Sequence, residues 1–205
     1  METTKKNNIP YVTIAIVIAN VIAYAICEAT GSWKDTNHMI DMGAMSDTLF
    51  IQGHEYYRII THFFLHYGLE HLGNNMFSLI VLGYALEGQI GRIKYFAIYF
   101  LSGILAGATS ILYNMYTCHY TISCGASGAI YGLMGALLAI LLFERHSNDK
   151  NAIFRFVICI GISLYSGMMD TSIDNAAHVG GFVSGFVICA IISWASREIR
   201  RMRQR

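Results

Sequence analysis

Proline occurs once in the 205 residues, and Lys, Arg, Asp and Glu together make up only 13 %, about half the share of an ordinary soluble domain. The near absence of proline excludes extended linkers, and so few charges exclude a solvated, disordered chain. A formal net charge of +1 removes the electrostatic case for a nucleic-acid partner. Cysteine is present five times, an odd number placed mostly in apolar runs (Cys27, Cys159, Cys189), which is no disulfide framework. Only Cys118 and Cys124 fall in a loop-like segment where a bridge is conceivable.

What the sequence has instead is long uncharged runs. No Lys, Arg, Asp or Glu occurs at positions 95–143 or 175–196. About 20 apolar residues cross the hydrocarbon as a helix, and six such spans are expected at 9–29, 69–86, 93–113, 125–143, 152–169 and 176–194. The polar segment 114–123 divides the longest run. The fold expected is therefore all-α, a polytopic six-transmembrane-helix bundle forming one domain over 1–205, with the lipid bilayer as its solvent.

Six spans put both termini on one side, and the cations choose it. With cytoplasmic termini, Lys5, Lys6, Arg92, Lys94, Arg145, Lys150, Arg155, Arg197, Arg200, Arg201, Arg203 and Arg205 are all cytoplasmic, leaving only Lys34 and Arg58 of the 14 outside. The expected location is the plasma (inner) membrane. Segment 30–68 then forms an outer loop, rich in Trp33, Phe50, His54, Tyr56, Tyr57, His62 and His66, whose amphipathic rings suit the membrane interface.

Polar side chains in hydrocarbon need a partner or a function. Those that interrupt the apolar background are His71, Asn74, Asn75 and Glu87 in the second span, Ser127 heading the fourth and His178 heading the sixth. Spans two, four and six all run inward, so His71, Asn75, Ser127 and His178 share one layer beneath the outer surface. A serine hydroxyl needs a base to become a nucleophile, and neutral imidazole is the usual one. His71 and Asn75, spaced i, i+4, project from one helical face. They can donate to an oxyanion, as can the backbone N–H of Ser127 at a helix start. Asp174 lies one turn before His178 but reads as a capping residue, which leaves a Ser-His dyad rather than a triad. Gly125, Gly128, Gly132 and Gly135 on the fourth span face Gly181 and Gly185 on the sixth, and small residues let membrane helices approach closely. Tyr131, one turn below Ser127, shares its face and can pack on the imidazole.

Other readings are weaker. His62, His66, Glu70 and His71 crowd together as metal ligands do, but His54-Glu55 is followed by Arg58 where a zinc-protease motif needs histidine. No metal or cofactor is expected, and His62 and His66 are read as polar contacts of the outer loop. A transporter should show repeated halves and broken midplane helices, and neither is visible.

These residues resemble the rhomboid intramembrane serine proteases. Gly125-Ala126-Ser127-Gly128 is similar to their G-x-S-G nucleophile motif, Ala177-His178-Val179-Gly180-Gly181 with Gly185 to the segment bearing the general base, and His71-Leu72-Gly73-Asn74-Asn75 to the oxyanion element. Gly83, Glu87 and Gly91 reproduce G-x-x-x-E-x-x-x-G, whose glutamate is structural in that family. Tyr57-Arg58 stands where many members have Trp-Arg, the arginine helping to hold the outer loop. The resemblance implies a water-filled cavity open to the outer face and cleavage of transmembrane protein substrates near the top of their helices. It also favours retaining the first span, although Ala23-Tyr24-Ala25 is similar to a signal-cleavage site. The alternative is a catalytically inactive rhomboid-like binder of membrane helices.

Overall fold

A computed structural model of the chain describes residues 9–143, 150–168 and 173–202. Lys5, Lys6, Arg145, Arg203, Arg205 and Met169 lie outside the described residues, so the cationic pattern is followed only through its other members. Six helices of 17 residues or more dominate: α1 (Tyr11–Thr30), α5 (Leu69–Ile90), α6 (Arg92–Thr117), α7 (Ser127–Phe143), α8 (Lys150–Met168) and α9 (Asn175–Met202). Between α1 and α5 lie three short helices, α2 (Thr36–Asp41), α3 (Asp47–Ile51) and α4 (Arg58–Thr61), then a 3-10 turn at His62–Phe64. The chain is a polytopic helical membrane bundle. Among the described residues three stretches are long and apolar enough to span by composition alone, namely α1, α6 and Asn175–Ser196 of α9, while α7 and Ile153–Tyr165 of α8 are shorter apolar helices.

The six long helices overlap the segments where spans are expected, but their ends differ. Helix α6 continues to Thr117 rather than stopping at 113, because Asn114 finds internal partners: its amide donates to Asp47 Oδ2 and to Thr121 Oγ1, each at 2.9 Å. The helix stops where Cys118 turns left-handed (φ +54°). Helix α5 runs to Ile90 and is closed by Gly91 at φ +88°. Helix α9 extends past 194 into the arginine-rich tail, since that segment contains neither proline nor glycine to break it.

Helix α7 is the centre. It packs most extensively on α9 and α6 and is flanked by α5, and its residues Ala129, Ile130, Leu133, Ala136, Ala139 and Ile140 join Leu79, Leu86, Tyr95, Ile98 and Tyr99 in the main core. The outward faces are apolar as well: Val179, Val183, Val187 and Ile191 form an exposed i, i+4 stripe on α9, and Phe77, Tyr84 and Leu112 stand open on α5 and α6. A surface of this kind is covered by lipid.

Segment 30–68 is a folded cap rather than a free loop. Met39, Ala44 and Leu65 bury against Cys27 at the end of α1. Asp35 caps α2 by accepting from the Asn37 N–H at 2.9 Å, and Ser46 accepts from Leu49 N–H at the head of α3. Strand β1 (Met45–Ser46) pairs antiparallel with β2 (Ile122–Ser123), with Met45 opposite Ser123 and Ser46 opposite Ile122. This ribbon ties the cap to the segment that leads into α7. None of the five cysteines is in a disulfide, so Cys118 and Cys124 do not pair.

Candidate active site

His71 and Asn75 on α5, Ser127 on α7 and His178 on α9 each lie at the end of their helix that meets the cap, and Glu87 lies at the other end of α5. Ser127 is the first residue of α7, and the chain reaches it through Gly125, whose φ of +133° only glycine adopts without strain. His178 is on the first turn of α9, where Asp174 Oδ1 accepts from the Ala177 N–H at 2.9 Å. The imidazole is buried, at 8 % exposure, and its Nε2 lies 2.9 Å from Ser127 Oγ. Among the described residues Nδ1 has no hydrogen-bond partner, and none of their carboxylates completes a triad. Tyr131 stacks on the imidazole with ring centroids 4.2 Å apart at 18°, and its hydroxyl shares a 2.6 Å hydrogen bond with Ser163 on α8.

Close approach of α7 and α9 makes the serine-histidine contact possible. The backbone of Gly181 lies against the carbonyl of Gly128, that of Gly185 against the carbonyl of Gly132, and that of Gly135 against the carbonyl of Phe182, with no room for a β-carbon at any of the three. Gly128 similarly meets the Ala106 methyl of α6.

His71 and Asn75 approach the same place from α5. A side chain on Gly125 would meet His71 Cε1 and Nε2 at 2.9 Å and Asn75 Nδ2 at 3.7 Å, so both groups face the backbone just before the serine. The Tyr67 N–H points at His71 Nδ1 over a long 3.4 Å, which leaves Nε2 as the protonated nitrogen. Asn75 is 7 % exposed and its Nδ2 is unpartnered, a buried donor waiting for an acceptor. A small cavity of about 20 Å³, room for about one water, opens beside Ser127 and is lined also by His62, Ser123, Gly125 and Asp174. Of the residues expected to share one layer, Ser127, His178, His71 and Asn75 come together here, and Asn74 turns to the exposed side of α5.

The model of the Rhomboid domain matches residues 53–195 of this sequence. The chain belongs to the rhomboid family. It is 31 % identical over 187 residues to "Rhomboid protease GluP" of Bacillus subtilis, a match covering 91 % of this chain and 36 % of that protein. It is 39 % identical over 153 residues to "RHOMBOID-like protein 6, mitochondrial" of Arabidopsis thaliana, covering 74 % of this chain and 48 % of the relative. A third relative, "Inactive RHOMBOID-like protein 8" of the same plant, is 36 % identical over 145 residues, or 70 % of this chain and 40 % of that one. The chain therefore spans less than half the length of each of these relatives.

Two further residues of this rhomboid chain act at a distance from the serine. Arg58 is 3 % exposed, donating through Nη1 to the carbonyls of Ile40 (2.6 Å) and Ala44 (2.8 Å) and through Nε to Glu55 Oε2 (2.7 Å), and so it gathers the cap around one guanidinium. Tyr57 lies on the surface, its hydroxyl donating to Glu55. Glu87, 2 % exposed, faces the head of α1, with Arg92 Nε at 3.9 Å. It accepts from the Val12 N–H at 3.0 Å, the Thr13 N–H at 2.9 Å and the Thr13 hydroxyl at 2.9 Å, capping α1 from another helix.

His62 makes the outer-loop polar contact expected of it, and His66 does not. His62 Nδ1 donates to the Arg58 carbonyl at 2.8 Å, and burial pushes its pKa down to about 4. His66, at 1 % exposure, sets its ring edge-on to His71 at 5.1 Å, has neither ring nitrogen well hydrogen-bonded, and is pushed by burial down to about 3. Both are neutral packing groups. Among the described residues no cluster of three or more His, Cys, Asp or Glu is arranged to hold a metal.

Sequence reasoning missed Ser163, Glu55, Thr13 and the Asp47–Asn114–Thr121 set. Only Asp47, directly after the capping Ser46, carried a local signal, and that signal was helix capping rather than a tie to α6.

Proposed function

We propose that this rhomboid chain is an intramembrane serine endopeptidase that cleaves transmembrane protein substrates near the outer face of the membrane. The observation that carries the reading is the 2.9 Å contact between Ser127 Oγ and His178 Nε2, in a buried layer reached from three helix ends. With its proton on Nδ1, His178 accepts the Ser127 proton at Nε2 as the hydroxyl attacks the scissile carbonyl, and then delivers it to the leaving amine. The negative charge that forms on the carbonyl oxygen falls to His71 Nε2–H, Asn75 Nδ2–H and the Ser127 backbone N–H, donors already aimed at the Gly125 face. Water then attacks the acyl-enzyme with His178 again as base. Stacking on Tyr131 restricts rotation of the imidazole, so the base stays oriented without a carboxylate.

Lys34 and Arg58 lie at the cap end and Arg92 and Lys94 at the opposite end, which supports cytoplasmic termini and a site facing outward. The plasma (inner) membrane fits that orientation.

An inactive binder of membrane helices is the second reading, favoured by the relative named inactive. A fluorophosphonate probe and a single-span model substrate, applied to the protein in liposomes, separate the two. Labelling and cleavage that vanish in Ser127→Ala and His178→Ala support the peptidase. Folded wild type that neither labels nor cleaves sinks it.

A further inference from the structure

Asp174 does more in the structure than cap a helix. Its Oδ1 accepts from the Ala177 N–H (2.9 Å), its backbone carbonyl accepts from the His178 N–H (3.1 Å), and its Oδ2 accepts from Ser110 Oγ (2.5 Å), a residue 2 % exposed on α6. The turn that carries the general base is thus held on both sides. The carboxylate also lines the small cavity beside Ser127, together with His62. It does not bond the imidazole, whose Nδ1 has no partner.

We propose that Asp174 is a positioning residue for the reaction: it pins the head of α9 to α6 and keeps a negative charge one turn from His178, stabilising the imidazolium formed when Ser127 loses its proton, with no direct Asp-His hydrogen bond. This rests on the peptidase reading above. It differs from a triad because the carboxylate acts through the helix end and through space.

The groups that sense this carboxylate come from every element around it. They are Asp47 at the head of α3, His62 on the 3-10 turn, and His178 on α9 itself, while His71 approaches the imidazole from α5. Asp47 is bound by Asn114 and Thr121, and His62 is neutral, so among the described residues Asp174, itself held by Ser110 and the Ala177 N–H, is the carboxylate one turn from the base. An opposite charge within about 4–6 Å typically shifts an ionisation by about 1–3 units; for the half-exposed Asp174, about one unit is expected.

The test compares Asp174→Asn and Asp174→Ser, which keep a capping oxygen without the charge, with Asp174→Ala, which loses both. Cleavage of a single-span substrate in liposomes is followed from pH 5 to 8. The expected result is that the acid limb of kcat/KM moves about one pH unit lower in both capped variants, with KM within about twofold. Asp174→Ala should show the same move plus a lower thermal midpoint. An acid limb unchanged in folded Asp174→Asn and Asp174→Ser overturns the proposal. A second measurement needs no turnover: NMR titration of the His178 ring in Ser127→Ala, with and without Asp174→Asn. A shift there, alongside a folded wild type that never cleaves, upholds the coupling and refutes the peptidase. Serine-dependent cleavage with neither profile displaced refutes the coupling alone.

Discussion

Gly181→Ala tests the geometry of the site with a single methyl group. Gly181 lies one turn after His178 on α9, and its backbone rests on the carbonyl of Gly128, the residue next to Ser127. A β-carbon at 181 overlaps that oxygen. Neither side of the contact is a flexible side chain, so at interior packing density α9 must retreat by about 1 Å. The retreat acts three residues from the imidazole and one residue from the serine, so it reaches the 2.9 Å contact almost undiminished. The contact then stretches to about 4 Å, where proton transfer loses its hydrogen bond. A displacement of about 1 Å at a reacting pair costs roughly 100-fold in rate, and the overpacking costs about 1–3 kcal/mol of stability. The assay pairs cleavage of a model transmembrane substrate in liposomes with thermal unfolding followed by helical circular dichroism. Gly161→Ala on α8 is the control, because a methyl there meets nothing within 4 Å. If Gly181→Ala is folded and cleaves within about threefold of wild type, the claim that backbone contact between α7 and α9 sets the Ser127–His178 distance is wrong.

Removing the Asn75 amide should lower kcat of an Asn75→Ala variant roughly 100 to 1,000-fold with little change in KM, and steady-state rates equal to wild type would remove Asn75 from the oxyanion site. Arg58→Met strands the carbonyls of Ile40 and Ala44, so the thermal midpoint should fall by the equivalent of about 1–3 kcal/mol for each carbonyl left unsatisfied, a loss that an Arg58→Lys variant restores only in part. His62 and His66 are held neutral, with folded-state pKa values of about 4 and 3 against an ordinary 6.5. Their contribution is complete above pH 6.5 and is lost as pH falls towards 4, because the unfolded chain binds the protons first. Each histidine should remove about 1.4 kcal/mol per pH unit in that window, and an unfolding midpoint that stays flat from pH 6.5 to 4.5 would contradict their burial as neutral rings.

Much of this architecture was legible because lipid imposes simple rules. Long uncharged runs announce helices, and a histidine or asparagine inside one announces a cost that something must offset, which is how Ser127, His178, His71 and Asn75 stood out together. Helix ends were less legible. Asn114 looks like a helix breaker until its amide finds Asp47 and Thr121, partners distant in sequence or in the next loop. Hydroxyls were least legible of all. Thr30, Thr109 and Thr117 return their protons to carbonyls four residues back, whereas Thr13, Ser110 and Ser163 reach across to Glu87, Asp174 and Tyr131. The two kinds read identically in the sequence, because only tertiary packing decides where a rotatable hydroxyl points. The inner side of the cap was illegible for a related reason: its aromatic residues suit a membrane interface, and nothing local shows that the guanidinium of Arg58 draws the chain inward onto two carbonyls.

The carboxylate of Glu87 has a consequence for how the molecule is made. The amides it satisfies at the start of α1 were synthesised 74 residues earlier. During translation α1 enters the membrane before α5, with those amides still uncapped, and it can lock into place only after α5 has been threaded and turned to face it. The earlier of the two helices therefore waits for the later, and a defect at position 87 should surface as delayed docking and quality-control degradation of nascent protein, even where the finished site is chemically intact.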